Sequence, residues 1–266
     1  MKKTISIIGG GWLGLALAKK LQSYAGVRIK ISSTSKDKLL EYEKLNLQPY
    51  MIKMEESSFS LDTHIGDFFS TNVLIICFPP KRIANIEDVH LKQYKNLLQQ
   101  VHSNIKQIIM VSSTSVYQTS NGVVDESTIL HPEKASGKAL ILCENLIKKK
   151  FPKQYLILRA GGLYGPNRPI GRFLAGKKIV VNEKEKVNLI HQQDIINIME
   201  ILIEKEIKQE VFNIVSTNHP LRLDLYNSKA LELGLELPLF QIDNERKYKI
   251  VSSEKLVNLI NYKFIY

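Results

Sequence analysis

Short apolar runs alternate with longer stretches of helical periodicity over most of this chain. Residues 5–8 are apolar but for one serine, and residues 13–21 place Leu and Ala at helical spacing. The next pairs are a strand over 27–31 with a helix over 36–45, then a strand near 50–52. Residues 73–78 are uninterrupted Val, Leu, Ile, Cys and Phe, halted by Pro79 and Pro80. A parallel strand covered on both faces reads this way. A helix over 89–101, a strand over 107–111, a helix over 134–149 and a strand over 155–158 follow. Strands separated by helices predict an α/β fold, a Rossmann-type doubly wound parallel sheet. Beyond Arg159 the texture changes: Gly161-Gly162, Gly165-Pro166 and Pro169-Ile170-Gly171 mark a long irregular segment. A helix over 194–204 and a strand over 211–214 return to the sheet, and 221–266 holds two short helices and a strand. The expected division is a dinucleotide-binding domain over 1–160 and 189–215, with a small C-terminal substrate lobe from 161–188 and 216–266.

The first strand runs into Gly9-Gly10-Gly11-Trp12-Leu13-Gly14, so Gly9, Gly11 and Gly14 fit G-x-G-x-x-G between a strand and a helix. Each glycine answers a physical demand of a dinucleotide site. The first permits the tight turn, the second lets the backbone approach a pyrophosphate, and the third lets helix and strand pack closely. The helix start then offers N–H groups and a positive dipole end to the phosphates. About 20 residues on, NAD sites carry an acid for the ribose hydroxyls. Here the second strand ends in Ser32-Ser33-Thr34-Ser35-Lys36, and the first carboxylate is Asp37. Hydroxyls and a lysine suit a 2′-phosphate, so Ser33, Thr34 and Ser35 point to NADP over NAD, with NAD left open. Ser35 also reads as a plain helix cap.

Charge narrows the partners. The formal net charge is +11, which favours anionic ligands, but the lysines are spread along all 266 residues. No nucleic-acid patch is expected. Lys2-Lys3 before an apolar stretch imitates a signal peptide, yet cleavage near Ala18 would remove the first strand and the motif glycines. No other stretch suggests a membrane span. The two cysteines, Cys77 and Cys143, lie in apolar runs without metal spacing. Reduced thiols in a cytoplasmic protein are expected. A small-molecule substrate is the expected partner, with a homodimer open.

Four segments, in order, carry a family resemblance. Val111-Ser112-Ser113-Thr114-Ser115-Val116-Tyr117 resembles the S-S-x-x-V-Y segment of extended short-chain dehydrogenases/reductases. Leu158-Arg159 with Leu163-Tyr164-Gly165-Pro166 resembles their L-R…Y-G-P loop. Ile190-His191-Gln192-Gln193-Asp194 resembles I-H-x-x-D, and Val211-Phe212-Asn213-Ile214 resembles their Y-N-I strand. The chain is thereby similar to the NAD-dependent epimerase/dehydratase family, which acts largely on nucleotide sugars. The resemblance implies that Ser112 and the backbone at Ala160, Gly161 and Leu163 adjoin the cofactor. It also implies that Phe78, Pro79 and Pro80 line the adenine side, and that Ser113 orients substrate.

Two departures qualify it. The family's chemistry rests on a Tyr-x-x-x-Lys pair, a phenol tuned for proton exchange. Aligned on Gly137 and Glu144, this chain has Ser136 and Leu140 there, and a slipped register gives Lys134 and Lys138. Neither supplies a phenol, so the chain resembles an atypical, epimerase-like branch lacking the tyrosine. Tyr117 and Tyr164 are the phenols nearest the motifs, and with Ser113 and Ser136 they complete the candidate catalytic groups. The arginine that usually precedes I-H-x-x-D is Val187 here. Arg168 and Arg172 are the alternative anion contacts. His191 reads as a histidine bonded within the fold, and Asp194 as a helix-start residue. Two functions remain open: an oxidoreductase or epimerase with a rearranged proton donor on an unidentified substrate, or a non-catalytic NADP-binding redox sensor.

Overall fold

The β-branched and leucine-rich runs become the middle of one sheet. The computed structural model describes residues 3–54, 59–61 and 65–266. In chain order the first elements are β1 (Lys3–Ile8), α1 (Trp12–Gln22), β2 (Val27–Ser33), α2 (Lys36–Lys44), β3 (Gln48–Met54), β4 (Phe59–Leu61) and α3 (Ile65–Phe69). Then come β5 (Val73–Ile76), α4 (Ile86–Gln99), β6 (Gln107–Ser113), β7 (Gly122–Val124), α5 (Ala135–Lys150), β8 (Tyr155–Ala160) and β9 (Gly162–Tyr164). The remainder is β10 (Lys178–Val181), β11 (Leu189–His191), α6 (Gln192–Glu204), β12 (Glu210–Ile214), α7 (Arg222–Glu232), β13 (Leu239–Ile242), β14 (Lys249–Val251) and α8 (Glu254–Ile260).

The main sheet has the order β12-β8-β6-β5-β1-β2-β3-β4. Seven strands are parallel and flanked by helices, the Rossmann-type arrangement, and β4 adds an antiparallel edge. The strand order reverses between β1 and β5, where such sheets bind ligands beyond the strand ends. In β5 all four residues are buried, which the unbroken apolar run requires. Lys30, also buried, sits in the alternating run of β2. Its ammonium is held by the Asp67 carboxylate at 3.0 Å and donates to the carbonyls of Asp67 and Ser70. A charge so enclosed persists only when paired and hydrogen-bonded.

The chain forms two compact units. The first comprises Met1–Val116, Pro132–Leu158 and Met199–Val211; the second comprises Tyr117–His131, Arg159–Ile198 and Phe212–Tyr266. The sequence-based bounds differ: residues 117–131 and the I-H-x-x-D segment fall in the second unit. The short strands explain why. In the second unit β7 pairs with β14, β9 with β11 and β10 with β13, all as two-stranded parallel ladders. These are three- or four-residue pairings with little periodicity to read. The second unit's core gathers Ile170, Val187 and Tyr226, packed by Tyr164, Phe173, Leu189 and Phe240 among others.

Candidate functional site

The β1–α1 turn is shaped by its three motif glycines. Gly9 has φ +91, a left-handed value that L side chains rarely adopt. A Cβ there would also meet the backbone of Phe78 at 3.2 Å. A Cβ on Gly14 would land on the Gly9 carbonyl, so helix and turn approach as closely as glycine allows. A Cβ on Gly11 would meet nothing within 4 Å, and its φ is an ordinary −76. That residue faces open space. Helix α1 starts at Trp12 with Gly11 as N-cap, no side-chain cap and no acid in its first turn. Such an end suits a diphosphate. Gly10 turns inward instead: its N–H donates to the Ser32 carbonyl at 2.8 Å, and its carbonyl accepts from Tyr42. The Gly9 N–H donates to Ser32 Oγ at 3.0 Å.

Beyond β2, the Ser35 N–H donates to Ser33 Oγ at 3.1 Å. Ser35 sits at the N-cap of α2 without a side-chain cap bond, while Thr34 and Lys36 are exposed. The capping alternative for Ser35 therefore does not describe its hydroxyl. On the other side of the turn, Phe78 rests on His90 and Tyr94, ring centroids 5.3 and 5.2 Å away. Pro79 is exposed and Pro80 half-buried. His90 is fully buried, which pushes its pKa down to about 4. Both cysteines are free thiols, and burial pushes Cys77 up to about 12 and raises Cys143 as well.

At the end of β6 the two serines part. Ser112 is buried and its hydroxyl donates to Glu144 Oε1 at 2.6 Å, pinning β6 to α5. This corrects the expectation that its side chain serves a cofactor. Ser113 is half-buried and its Oγ accepts from the Ser115 N–H at 3.1 Å. Ser136 lies half-buried in the first turn of α5, next to Gly137, where a Cβ would meet the Ser115 carbonyl at 2.5 Å. Leu140 is buried in the core.

The remaining candidates belong to the second unit. Tyr117 is 1% exposed; its phenol accepts from Arg159 and donates to Asn213, each at 2.8 Å. Burial raises its pKa. With both bonding roles filled inside the unit, Tyr117 is a structural phenol, which corrects its place among the proton donors. Tyr164 is half-buried, edge-on to His191 with centroids 5.0 Å apart, and burial followed by the Asp194 carboxylate raises its pKa. His191 Nδ1 accepts from the Gln193 N–H, so the ring is neutral with its proton on Nε2. Its other face stacks on Tyr266 at 3.7 Å. Ala160 is buried, Gly161 donates to the Ile214 carbonyl, and Leu163 pairs with Ile190. Arg168 and Arg172 are exposed on their loop, Arg168 lying over the Phe173 ring.

Comparisons with known proteins agree with this geometry. The chain matches no protein-family model. It is 31% identical over 266 residues to protein YeeZ of Escherichia coli K12, covering 99% of this chain and 96% of that protein. The chain belongs to the YeeZ family. Among solved structures, it resembles UDP-glucuronic acid 4-epimerase from Bacillus cereus in complex with NAD, with a TM-score of 0.79, 18% identity and coverage of 99% and 94%. A short-chain dehydrogenase/reductase superfamily protein from Agrobacterium tumefaciens with bound NAD gives 0.79, 15%, 99% and 93%. These likenesses show that the chain has the Rossmann-type fold of these structures.

Two features of this YeeZ-family chain escaped sequence reading. Tyr42, the sole aromatic residue of α2, is fully buried beneath the glycine turn. Its position among Lys and Glu side chains was the available signal. Asp194, fully buried, accepts from the Tyr262 hydroxyl at 2.8 Å and from the N–H groups of Ile265 and Tyr266 at 2.9 and 3.2 Å. Nothing at 262–266 announces a docking segment.

Proposed function

We infer that this protein binds NADP in its first unit and uses it in short-chain dehydrogenase/reductase chemistry on a small substrate that is not a nucleotide sugar. The observation that carries the reading is the β1–α1 turn, where three glycines leave no room for side chains or face open space, as a diphosphate requires. Gly9, Gly11, Trp12, Leu13 and Gly14 would hold the diphosphate. Ser33, Thr34 and Ser35, with exposed Lys36 beside them, would meet the 2′-phosphate. Phe78, Pro79 and Pro80 would flank the adenine. When bound, NADP supplies a hydride acceptor or donor. Ser113 and Ser136 would orient the substrate. A cytoplasmic location accords with this cofactor and with two free thiols.

The substrate class follows from the cations. Val187 is packed in the apolar core of the second unit, so the position expected to carry a diphosphate arginine has no charge. Arg222 and Arg246 both face Glu185, at 2.8 and 3.6 Å, and Arg159 serves Tyr117. Committed cations bind a substrate diphosphate poorly. One observation favours the second reading, an NADP sensor without turnover: Tyr164 has its pKa raised, the reverse of the tuning a catalytic phenol needs. The decisive experiment titrates NADP and NAD into the protein by calorimetry, then screens small carbonyl and hydroxyl compounds for NADPH oxidation or NADP reduction. Binding with turnover supports the enzyme; binding without turnover supports the sensor; absence of dinucleotide binding refutes both.

A further inference from the structure

A buried phenol supports the glycine turn from beneath: the Tyr42 hydroxyl donates to the Gly10 carbonyl. Tyr42 is fully buried, and its hydroxyl lies 2.6 Å from where a Gly10 Cβ would stand. The phenol therefore fills the space that the second residue of G-x-G-x-x-G leaves empty. Gly10 is tied at both ends, its N–H to Ser32 and its carbonyl to Tyr42. A peptide held inward on both sides fixes the orientation of the next one, at Gly11, which faces open space. Burial raises the phenol's pKa, so it stays protonated and donating at neutral pH.

We propose that Tyr42 is a positioning residue for cofactor binding: it sets the diphosphate turn from below. This rests on the NADP reading above. The phenol touches no ligand. Its effect must fall on the part of the cofactor that the turn contacts, which separates positioning from general destabilisation.

Calorimetric titration of the full chain tests this with two ligands, NADP and adenosine 2′-monophosphate, which lacks the diphosphate. Tyr42→Phe removes one hydroxyl and keeps the ring. It should weaken NADP about tenfold, and change adenosine 2′-monophosphate by less than about twofold. Equal weakening of both ligands, or unchanged NADP affinity, overturns the proposal while leaving NADP binding intact. Wild-type protein that binds neither NADP nor NAD overturns the NADP reading and this inference with it. If Tyr42→Phe does not fold, Gly10→Ala, whose methyl would press on the Tyr42 hydroxyl, is read with the same two ligands. Loss confined to NADP supports the proposal, and equal loss for both ligands or none overturns it.

Discussion

A side chain at Gly11 meets no atom within 4 Å, whereas a methyl at Gly10 runs into the Tyr42 hydroxyl at 2.6 Å and Ile31 at 2.9 Å. Neighbouring glycines are therefore constrained differently: Gly10 by the interior, Gly11 by no neighbouring atom. Gly11→Val should leave the melting temperature near that of wild type and reduce NADP affinity by roughly a hundredfold or more, measured by calorimetry. Equal affinity in both proteins would remove the diphosphate assignment. At the 2′-phosphate corner the residue to change is Thr34, exposed just beyond β2. A carboxylate there repels a phosphate dianion, so Thr34→Asp should shift the NADP-to-NAD affinity ratio by roughly tenfold toward NAD. A wild type that already prefers NAD would show the corner to be misread.

At the scale of elements, α4 carries an ionisable group against an aromatic wall. His90 is fully buried between Phe78 and Tyr94 and titrates near 4, against 6.5 in the unfolded chain. Between those values the unfolded chain binds a proton that the native state refuses, so stability rises with pH across the window and is lost as pH falls through it. The integrated loss is on the order of 3 kcal/mol. Urea unfolding at pH 7 and pH 4.5 should show it in wild type, and His90→Gln should flatten the difference. The start of α6 offers a second test. Asp194→Ala strands three donors from residues 262–266 and should cost roughly 2–4 kcal/mol by the same measurement. These elements also mark how far the sequence could be read. Long strands and helices of the first unit were legible because burial on one or two faces writes a period into them: β5 lies within the apolar run that predicted it, and β6 extends its predicted run by two serines. The ladders of the second unit were not, since β9 and β11 hold three residues each and owe their place to partners far along the chain. The candidate site divides likewise. Gly9, Gly11 and Gly14 form a local motif that a sequence displays, while Tyr42 and Asp194 act through contacts 32 to 72 residues away.

For the whole molecule, binding and turnover separate. Saturating NADP at about a hundred times its dissociation constant should stabilise the fold by about 2.7 kcal/mol, seen as a rise in melting temperature. UDP- and GDP-sugars should show no robust turnover even at high enzyme concentration, given Ser136, Leu140 and Val187 where a phenol, a lysine and an arginine were expected. Rapid conversion of any of them would turn attention to Tyr164, whose Phe variant should then abolish it. No helix among the described residues is long and apolar enough to cross a membrane, so these assays need no detergent for a spanning helix. One property of the interior makes the binding assays simpler to build. Cys77 and Cys143 are the chain's two thiols, and burial holds both far above neutrality as thiols. Maleimides react with thiolates, so the native protein should be almost inert to them at pH 7. A single cysteine introduced at exposed Lys36 would then be the one reactive handle on the chain, and a fluorophore attached there would report the arrival of a dinucleotide without any background labelling to subtract.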